Sequence, residues 1–298
     1  MTKPQDTPPE NDPLEHGLLA PGLYIVGTPI GNLGDLSPRG RDTLARVDRI
    51  ACEDTRVTGR LTGWIGSKAS LTAYHDHNAA RVRPGLLAAL AREERVALVS
   101  DAGMPLISDP GYKLVAEARA AGHPVRVVPG PSAVSSALAL AGLPTNRFLF
   151  AGFPPPKTAA RRRWYAEQDR ANATLVVFES AKRVAASLQD AAGALGNRPV
   201  ALCREITKRF ETVLEGRLDD LTERLEASPV KGEIVLVIAP APEKPTEIRL
   251  TPEGILEKAL ETMTVSAAAR FTAELTGRPR KALYQRALEI ADDPDTDA

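Results

Sequence analysis

The sequence predicts an α/β protein of two α/β domains, a parallel doubly wound N-terminal sheet and a mixed C-terminal sheet, with a small C-terminal helical appendage. Three observations carry this. Short apolar runs alternate with helical patterns over residues 23–141, the signature of a parallel sheet wound with helices. The runs FLFAGF, TLVVF, VALCR, FETVLEG and EIVLVIA in the following hundred residues are spaced closely enough for hairpins, hence a mixed sheet. A length of 298 residues suits about two domains.

Residues 1–20 form an arm rich in proline and acid (Pro4, Pro8, Pro9, Pro13; Asp6, Glu10, Asp12, Glu15), read as disordered. The first domain, 21–142, places strands at 23–26, 49–53, 96–100 and 125–128. Helices follow from Ser37-Pro38, with serine as N-cap and proline at the first helical position, and at 84–92, 112–121 and 133–141. The stretch up to Asn78 reads as variable and polar. Gly142-Leu-Pro-Thr-Asn146 links to the second domain, 143–240, with helices near 161–168, 181–192 and 218–226. A proline-rich linker at 240–245 precedes the appendage, 250–291, a helix from Val265, a break at Thr276-Gly277 and a helix from Pro279. There, Ala267, Ala268, Phe271 and Leu275 recur at helical spacing.

Composition excludes several classes. Basic and acidic residues balance at 38 each, so any nucleic-acid contact must come from a local patch. An aromatic content of 4% disfavours a stacking platform of the RRM type. Cys52 and Cys203 sit in apolar strand-like runs, which fits a reducing compartment better than a disulfide framework. No run is long enough to span a membrane and the start lacks the pattern of a signal peptide, so a cytoplasmic protein is expected.

Three glycine- and proline-bearing loops follow expected strands: Gly27-Thr-Pro-Ile-Gly-Asn-Leu-Gly34, Ser100-Asp-Ala-Gly-Met-Pro-Leu-Ile-Ser-Asp-Pro-Gly111 and Pro129-Gly-Pro-Ser132. In an open parallel sheet such loops share the carboxyl edge, where ligands bind. Glycine admits close backbone approach to a ligand and proline stiffens the loop. The first loop is neither a Walker A sequence nor G-x-G-x-x-G, so the usual phosphate and dinucleotide cradles are disfavoured and the residues alone leave the ligand unnamed.

The ordered phrases LYIVGTPIGNLGDLSPRG, ACEDTRVTGRL, AYHDHN, SDAGMPLISDPG, VVPGPSAVSSALALAGLPTNRFLFAGF, VFESAKR, LCREITKRFE and VKGEIVLVI supply what the loops do not. Together they resemble the tetrapyrrole-methylase-like (class III) methyltransferases, specifically those acting on small-subunit ribosomal RNA. The resemblance runs from about Leu23 to Ile238, and the appendage resembles that family's helical extension. It implies S-adenosylmethionine in a cleft between the two domains, usually in a homodimer. It also implies an acceptor 2′-oxygen on a cytidine of the 16S rRNA decoding region, in free RNA or in the small subunit, with neither DNA nor membrane as partner. Carried over by position, Asp101, Gly103, Pro105, Ile107, Ser132, Ala133, Phe178, Glu179, Arg204 and Gly232 would bind the cofactor. A small-molecule acceptor such as a tetrapyrrole is the alternative, and a ribosome-binding module without catalysis is a third reading.

Methyl transfer from a sulfonium is an in-line displacement needing alignment and a proton acceptor, but no metal. Glu53-Asp54-Thr55-Arg56 and His75-Asp76-His77-Asn78, on loops expected beside the sheet edge, offer candidates. Asp54 or His77 would take the proton, Arg56 would hold phosphate, and His75, Asn78 and Lys231 would meet the substrate. The alternative is that these charges decorate solvated loops. His75-x-His77 has metal-ligand spacing, but only His16 and His123 remain elsewhere, so no metal is expected. The basic run at 157–163 with Trp164 and Tyr165 reads equally as a phosphate-binding helix start or as a solvated face.

Overall fold

The computed structural model describes residues 19–107, 111–242 and 251–291. The expected arm therefore lies outside the described residues up to position 18, as do Ser108, Asp109 and Pro110 of the second loop and positions 243–250 of the linker region. Residues up to Ala241 and those from Pro242 onward form separate units.

The first sheet comprises β1 (Gly22–Val26), β2 (Arg49–Cys52), β3 (Ser70–Ala73), β4 (Arg95–Leu98) and β5 (Val125–Val128), in the order β3-β2-β4-β1-β5. All its pairings are parallel. Parallel strands are covered on both faces, and β1 is buried along its whole length. Successive side chains of a strand point to opposite faces. Tyr24 and Val26 accordingly join Leu44, Val47, Ile50 and Cys52 in one core layer. Leu23 and Ile25 join Leu86, Leu90, Leu98 and Leu114 in the other.

Four helices wind around this sheet: α1 (Pro38–Arg46), α2 (Thr55–Ile65), α3 (Ala79–Ala91) and α4 (Tyr112–Ala120). Ser37 caps α1 by accepting a hydrogen bond from the Gly40 amide, a stabilising device at a helix start. The sequence reading misses α2 and β3, both within the stretch taken as variable and polar. Helix α2 carries two interior glycines and several β-branched residues, weak helix formers. Its ends hold it instead: Asp54 caps the first turn and Gly66, at φ +76°, closes the last. Strand β3 is a short, partly exposed edge strand without clear alternation.

The second sheet contains β6 (Phe148–Phe150), β7 (Thr174–Ser180), β8 (Pro199–Arg204), β9 (Thr212–Arg217) and β10 (Glu233–Ile238), in the order β6-β7-β10-β8-β9. Only β6–β7 is parallel, so the sheet is mixed as expected. Helices α6 (Thr158–Gln168), α7 (Val184–Leu195) and α8 (Leu218–Ala227) cover one face through Tyr165, Leu188, Leu218 and Leu221. Helix α5 (Ala133–Leu140), continuous with the end of the first sheet, covers the other. Val134, Ala137 and Leu138 of α5 pack on Val176, Ala201, Cys203 and Val237.

The basic run at the start of α6 is partly committed to the fold. Arg161 and Asp190 form an ion pair at 2.6 Å with side chains 4% and 2% exposed, and Arg162 bonds the second carboxylate oxygen at 2.7 Å. The Tyr165 hydroxyl lies 2.8 Å from Ser187 Oγ in the same interior.

Among its described residues the C-terminal unit holds three helices, one more than expected: α9 (Pro252–Leu260), α10 (Val265–Thr276) and α11 (Arg280–Ala291). Leu256, Ala259, Ala268, Ala269, Leu283 and Ala287 form its core. Phe271 and Leu275, noted for their helical spacing, are 40% and 62% exposed; Thr272 is buried. Their spacing is helical, but the buried stripe is set by the small residues. Among the described residues no helix is long and apolar enough to cross a membrane.

Removing one partner of a buried ion pair leaves an uncompensated charge. Asp190→Ala should therefore destabilise the protein by about 3–5 kcal/mol, read as a lowered denaturation midpoint in urea. A loss below about 1 kcal/mol, the size found for surface pairs, would refute this account.

Candidate active site

The strand order makes β4, β1 and β5 neighbours, and the chain reverses its winding direction about them. Their carboxyl ends form a topological switch point, the position at which open α/β sheets bind ligands. The three glycine- and proline-bearing loops leave those three strands and are bonded to one another. Thr28 and Gly103 exchange backbone hydrogen bonds of 2.9 and 3.1 Å. The Thr28 hydroxyl donates to the Ser100 carbonyl at 3.2 Å. Gly27 and Gly130 touch backbone to backbone: a Cβ on Gly130 would sit 2.8 Å from Gly27 main-chain atoms. Gly103 has φ +84°, a left-handed conformation that favours glycine.

Between these loops and the second sheet lies a cavity of about 490 Å³, within the usual range for small-ligand sites. Asp101, Gly103 and Ile107 line it from the second loop and Ser132 and Ala133 from the third. Phe178, Glu179 and Gly232 line it from the second sheet. Eight of the ten residues expected around the cofactor thus share one hollow. Pro105 is buried within its loop and is not part of the wall. Arg204 lies elsewhere: with Thr212, Leu214 and Arg224 it lines a separate cavity of about 250 Å³. Strand alternation explains this. Ala201 and Cys203 face α5, so Leu202 and Arg204 face the α8 side.

The sequence reading leaves out the apolar part of the wall, including Ile30, Met104, Val134, Phe153, Ile206 and Val235. Isolated apolar residues carry no signature of a site. Phe153 is the exception in hindsight, in the unusual GFPPP segment and 58% exposed. Its ring meets Phe178 edge-on at 5.4 Å.

Glu179 lies on the cavity wall, but its side chain turns to the other face of β7: Val176 and Phe178 pack toward α5, so Leu175, Val177 and Glu179 face α6–α8. Its side chain is fully buried, and its Oε1 accepts hydrogen bonds from the Ser180 amide at 2.7 Å and from Arg183 Nε at 2.9 Å. Its Oε2 is buried without a partner. The other side of the hollow is built from strained backbone. Glu205 and Thr207 have φ of +52° and +67°, costs of about 1–3 kcal/mol each that such sites sustain only when surroundings enforce them. Glu205 Oε1 accepts from the Glu233 amide at 2.9 Å and from Lys208 Nζ at 3.0 Å. Gly232, at φ +99°, leaves room for that carboxylate, which a Cβ would meet at 2.6 Å. Neighbouring Lys231 is exposed.

The substrate-side candidates gather at the ends of β2 and β3, beside the second loop. Asp54 and Arg56 lie at the start of α2 and not on a loop. The Asp54 carboxylate accepts from the Arg56 amide at 2.8 Å and from its guanidinium at 2.6 Å. These bonds to Arg56 hold the carboxyl down at about 2, too weak a base for a hydroxyl proton. The Asp54 amide donates to Asp101 Oδ1 at 3.0 Å, tying this corner to the cavity wall. The Asn78 side chain is committed to its own turn, accepting from the His75 amide at 2.9 Å and donating to the Ala73 carbonyl at 3.0 Å. His75 Nδ1 is buried and unpartnered, and its ring stands edge-on to exposed His77 at 6.0 Å. Among the described residues no three His, Cys, Asp or Glu side chains converge as metal ligands would.

Glu53, passed over in the sequence in favour of Asp54, has the stronger proton affinity. Partial burial, then the negative charge of Asp101, push its carboxyl above the ordinary range, while His75 opposes them.

The fold and cavity together define the class. Residues 22–222 match the family described as Tetrapyrrole (Corrin/Porphyrin) Methylases. The crystal structure of the methyltransferase CobJ superposes with a TM-score of 0.56 at 18% identity, over 74% of this chain and 95% of that one, a likeness of fold alone. Residues 251–291 match the family described as RsmI C-terminal HTH domain. A Mesorhizobium japonicum protein named ribosomal RNA small subunit methyltransferase I is 46% identical over 276 residues, 92% of this chain and 94% of that protein. One of the same name from Erythrobacter litoralis is 48% identical over 272 residues, 91% and 96% of the two chains. The chain belongs to the ribosomal RNA small subunit methyltransferase I family.

Two outcomes follow from this geometry. Gly130→Ala forces a Cβ into the backbone of Gly27, where no flexible side chain can yield. It should weaken S-adenosylmethionine binding at least about fivefold by calorimetry, given typical overpacking costs of about 1–3 kcal/mol; undiminished affinity would show the loop contact to be dispensable. Because the Glu53 carboxyl is raised in the folded state, its ionisation costs stability as pH rises through that raised value. Glu53→Gln should therefore raise the melting temperature at pH 7 to 8, the difference vanishing below about pH 4, where the carboxyl is protonated in both states. An equal difference at both pH values would contradict the assignment.

Proposed function

We propose that this chain transfers a methyl group from S-adenosylmethionine to the ribose 2′-hydroxyl of a cytidine in the decoding region of 16S rRNA. The observation that carries the cofactor is the cavity at the switch point, walled by the three glycine- and proline-bearing loops and by Phe178 and Gly232 of the second domain. The names of the relatives and the sequence resemblance supply the RNA acceptor. When bound, S-adenosylmethionine provides an electrophilic methyl group on a sulfonium whose departure as a neutral thioether needs no metal.

The chain's own residues do the rest by position. The Phe178 ring packs against one edge of the cofactor. Asp101, Gly103, Ser132 and Ala133 hold its other edge, with Gly232 closing the hollow. Ile30, Ile107, Phe153 and Phe178 exclude water, strengthening the electrostatic contacts inside. The acceptor nucleotide enters beside Asp54, whose amide and ion pair hold Asp101 and Arg56 in place. Arg56, exposed along 87% of its side chain, presents a cation to RNA phosphate. His75 and Lys231 flank the path, and Asn78 holds the histidine turn. Glu53, with His77 beside the same corner, takes the hydroxyl proton as the oxygen–carbon bond forms.

The same reading places the protein in the cytoplasm as a homodimer. Cys52 and Cys203 are buried free thiols, and burial pushes the Cys203 thiol up to about 11, leaving it unreactive. Val127 and Phe148, on edge strands β5 and β6, are more than half exposed and offer an apolar surface for a second copy.

The test is incubation of the protein with labelled S-adenosylmethionine and purified small ribosomal subunits, in parallel with an RNA-free extract, followed by mapping of the labelled nucleotide. Label at one cytidine 2′-oxygen is expected; label in small metabolites alone would favour a tetrapyrrole-like acceptor and overturn the proposal. In single-turnover assays Glu53→Gln or His77→Ala should slow transfer about 10²-fold or more, the usual contribution of a general base. Unchanged rates in both would remove this corner from the proton transfer.

A further inference from the structure

We infer that the outer face of α2 is a docking track for the RNA strand flanking the acceptor nucleotide, formed by Arg56, Arg60 and Trp64 with Arg41 stacked on the indole. This rests on the RNA reading above. The three α2 residues recur every four positions and so share one face of the helix, over about 12 Å at 1.5 Å per residue. All three are exposed, as is Arg41. The buried face of the helix is the other one, carrying Thr58 and Thr62.

Two features exceed what a solvated helix face needs. Trp64 is 48% exposed although burial of an indole is favourable, and the Arg41 guanidinium lies over its ring at 5.2 Å. A cation-backed aromatic on the surface suits base stacking with a phosphate nearby. Arg60, among the described residues, has no hydrogen bond or ion pair, and Lys68 just past the helix has none either. The carboxylate at the head of this face, Asp54, is already matched by Arg56. The uncompensated charge along the track is therefore positive, complementary to a phosphate backbone.

Position selects the partner. The helix begins at Asp54, whose amide is bonded to Asp101 on the cavity wall. A strand delivering one nucleotide to that wall must carry its neighbouring phosphates past the first turn of α2.

The experiment measures binding of a fluorescent single-stranded RNA dodecamer to the full-length protein across a range of salt concentrations. Arg60→Ala should weaken binding severalfold and make the slope of log K against log salt shallower by about 0.7, the value of one lost phosphate contact on a single strand. Trp64→Ala should weaken it at least about fivefold, as lost base stacking does, with little change in slope. Arg60→Lys should retain the slope. S-adenosylmethionine affinity and melting temperature should stay at wild-type values. Unaltered affinity and slope in both alanine variants would overturn the inference, as would loss of small-subunit binding with dodecamer binding intact, which would mark a protein contact. Wild-type protein that binds the dodecamer through this face yet leaves small subunits unmethylated would refute the proposed function alone.

Discussion

The close approach of Gly27 and Gly130 is the constraint on which the site depends. Two chain segments a hundred residues apart meet there without side chains between them, and the Thr28–Gly103 bridge adds a third loop to the same junction. Any larger residue at either glycine would force the loops apart. The cavity is shaped by that absence of bulk, while its opposite wall, with Phe178 and Gly232, is positioned by the second domain. On the far side Gly31 plays a similar part, since a Cβ there would fall 2.4 Å from the Lys208 side chain. The first loop is thus fitted between the third loop and the strained turn of the second domain.

Much of this was legible in the residues. Strands β1, β4 and β5 lie in mostly apolar runs followed by glycine- and proline-bearing loops, so both their class and their loops could be read directly. The mixed second sheet followed from run spacing. What escaped the sequence did so for physical reasons. Helix α2 is held by its Asp54 and Gly66 ends and by packing, and its interior propensity points the other way. The apolar lining of the cavity is chemically indistinguishable from core until a hollow is seen beside it. Arg204 was carried over by motif, and strand alternation turned it to the opposite face. The proton acceptor could not be read because Asp54 and Glu53 are adjacent carboxylates with opposite environments. One is anchored by Arg56, and the other is partly buried and crowded by Asp101.

The charged residues also divide by task in a way that composition conceals. A balanced chain of 38 basic and 38 acidic residues spends many of them on internal pairs, such as Arg161 with Asp190 and Arg183 with Glu179. The KTAARRR run, the most basic stretch of the body, is partly consumed in this way. Arg60 on α2 forms no ion pair among the described residues and keeps its charge available. Local accounting of partners is thus a better guide to a polyanion surface than the density of lysine and arginine along the chain.

Helix α5 has a mechanical implication. Its N-terminal residues Ser132 and Ala133 form part of the cavity wall, while Ala137 and Leu138, one turn further on, are embedded in the second sheet's core. A ligand gripping the first turn therefore pulls on a rod whose other end is anchored in the neighbouring domain. Occupancy of the hollow would stiffen both halves together, so that filling a pocket and melting as one cooperative body become expressions of the same helix.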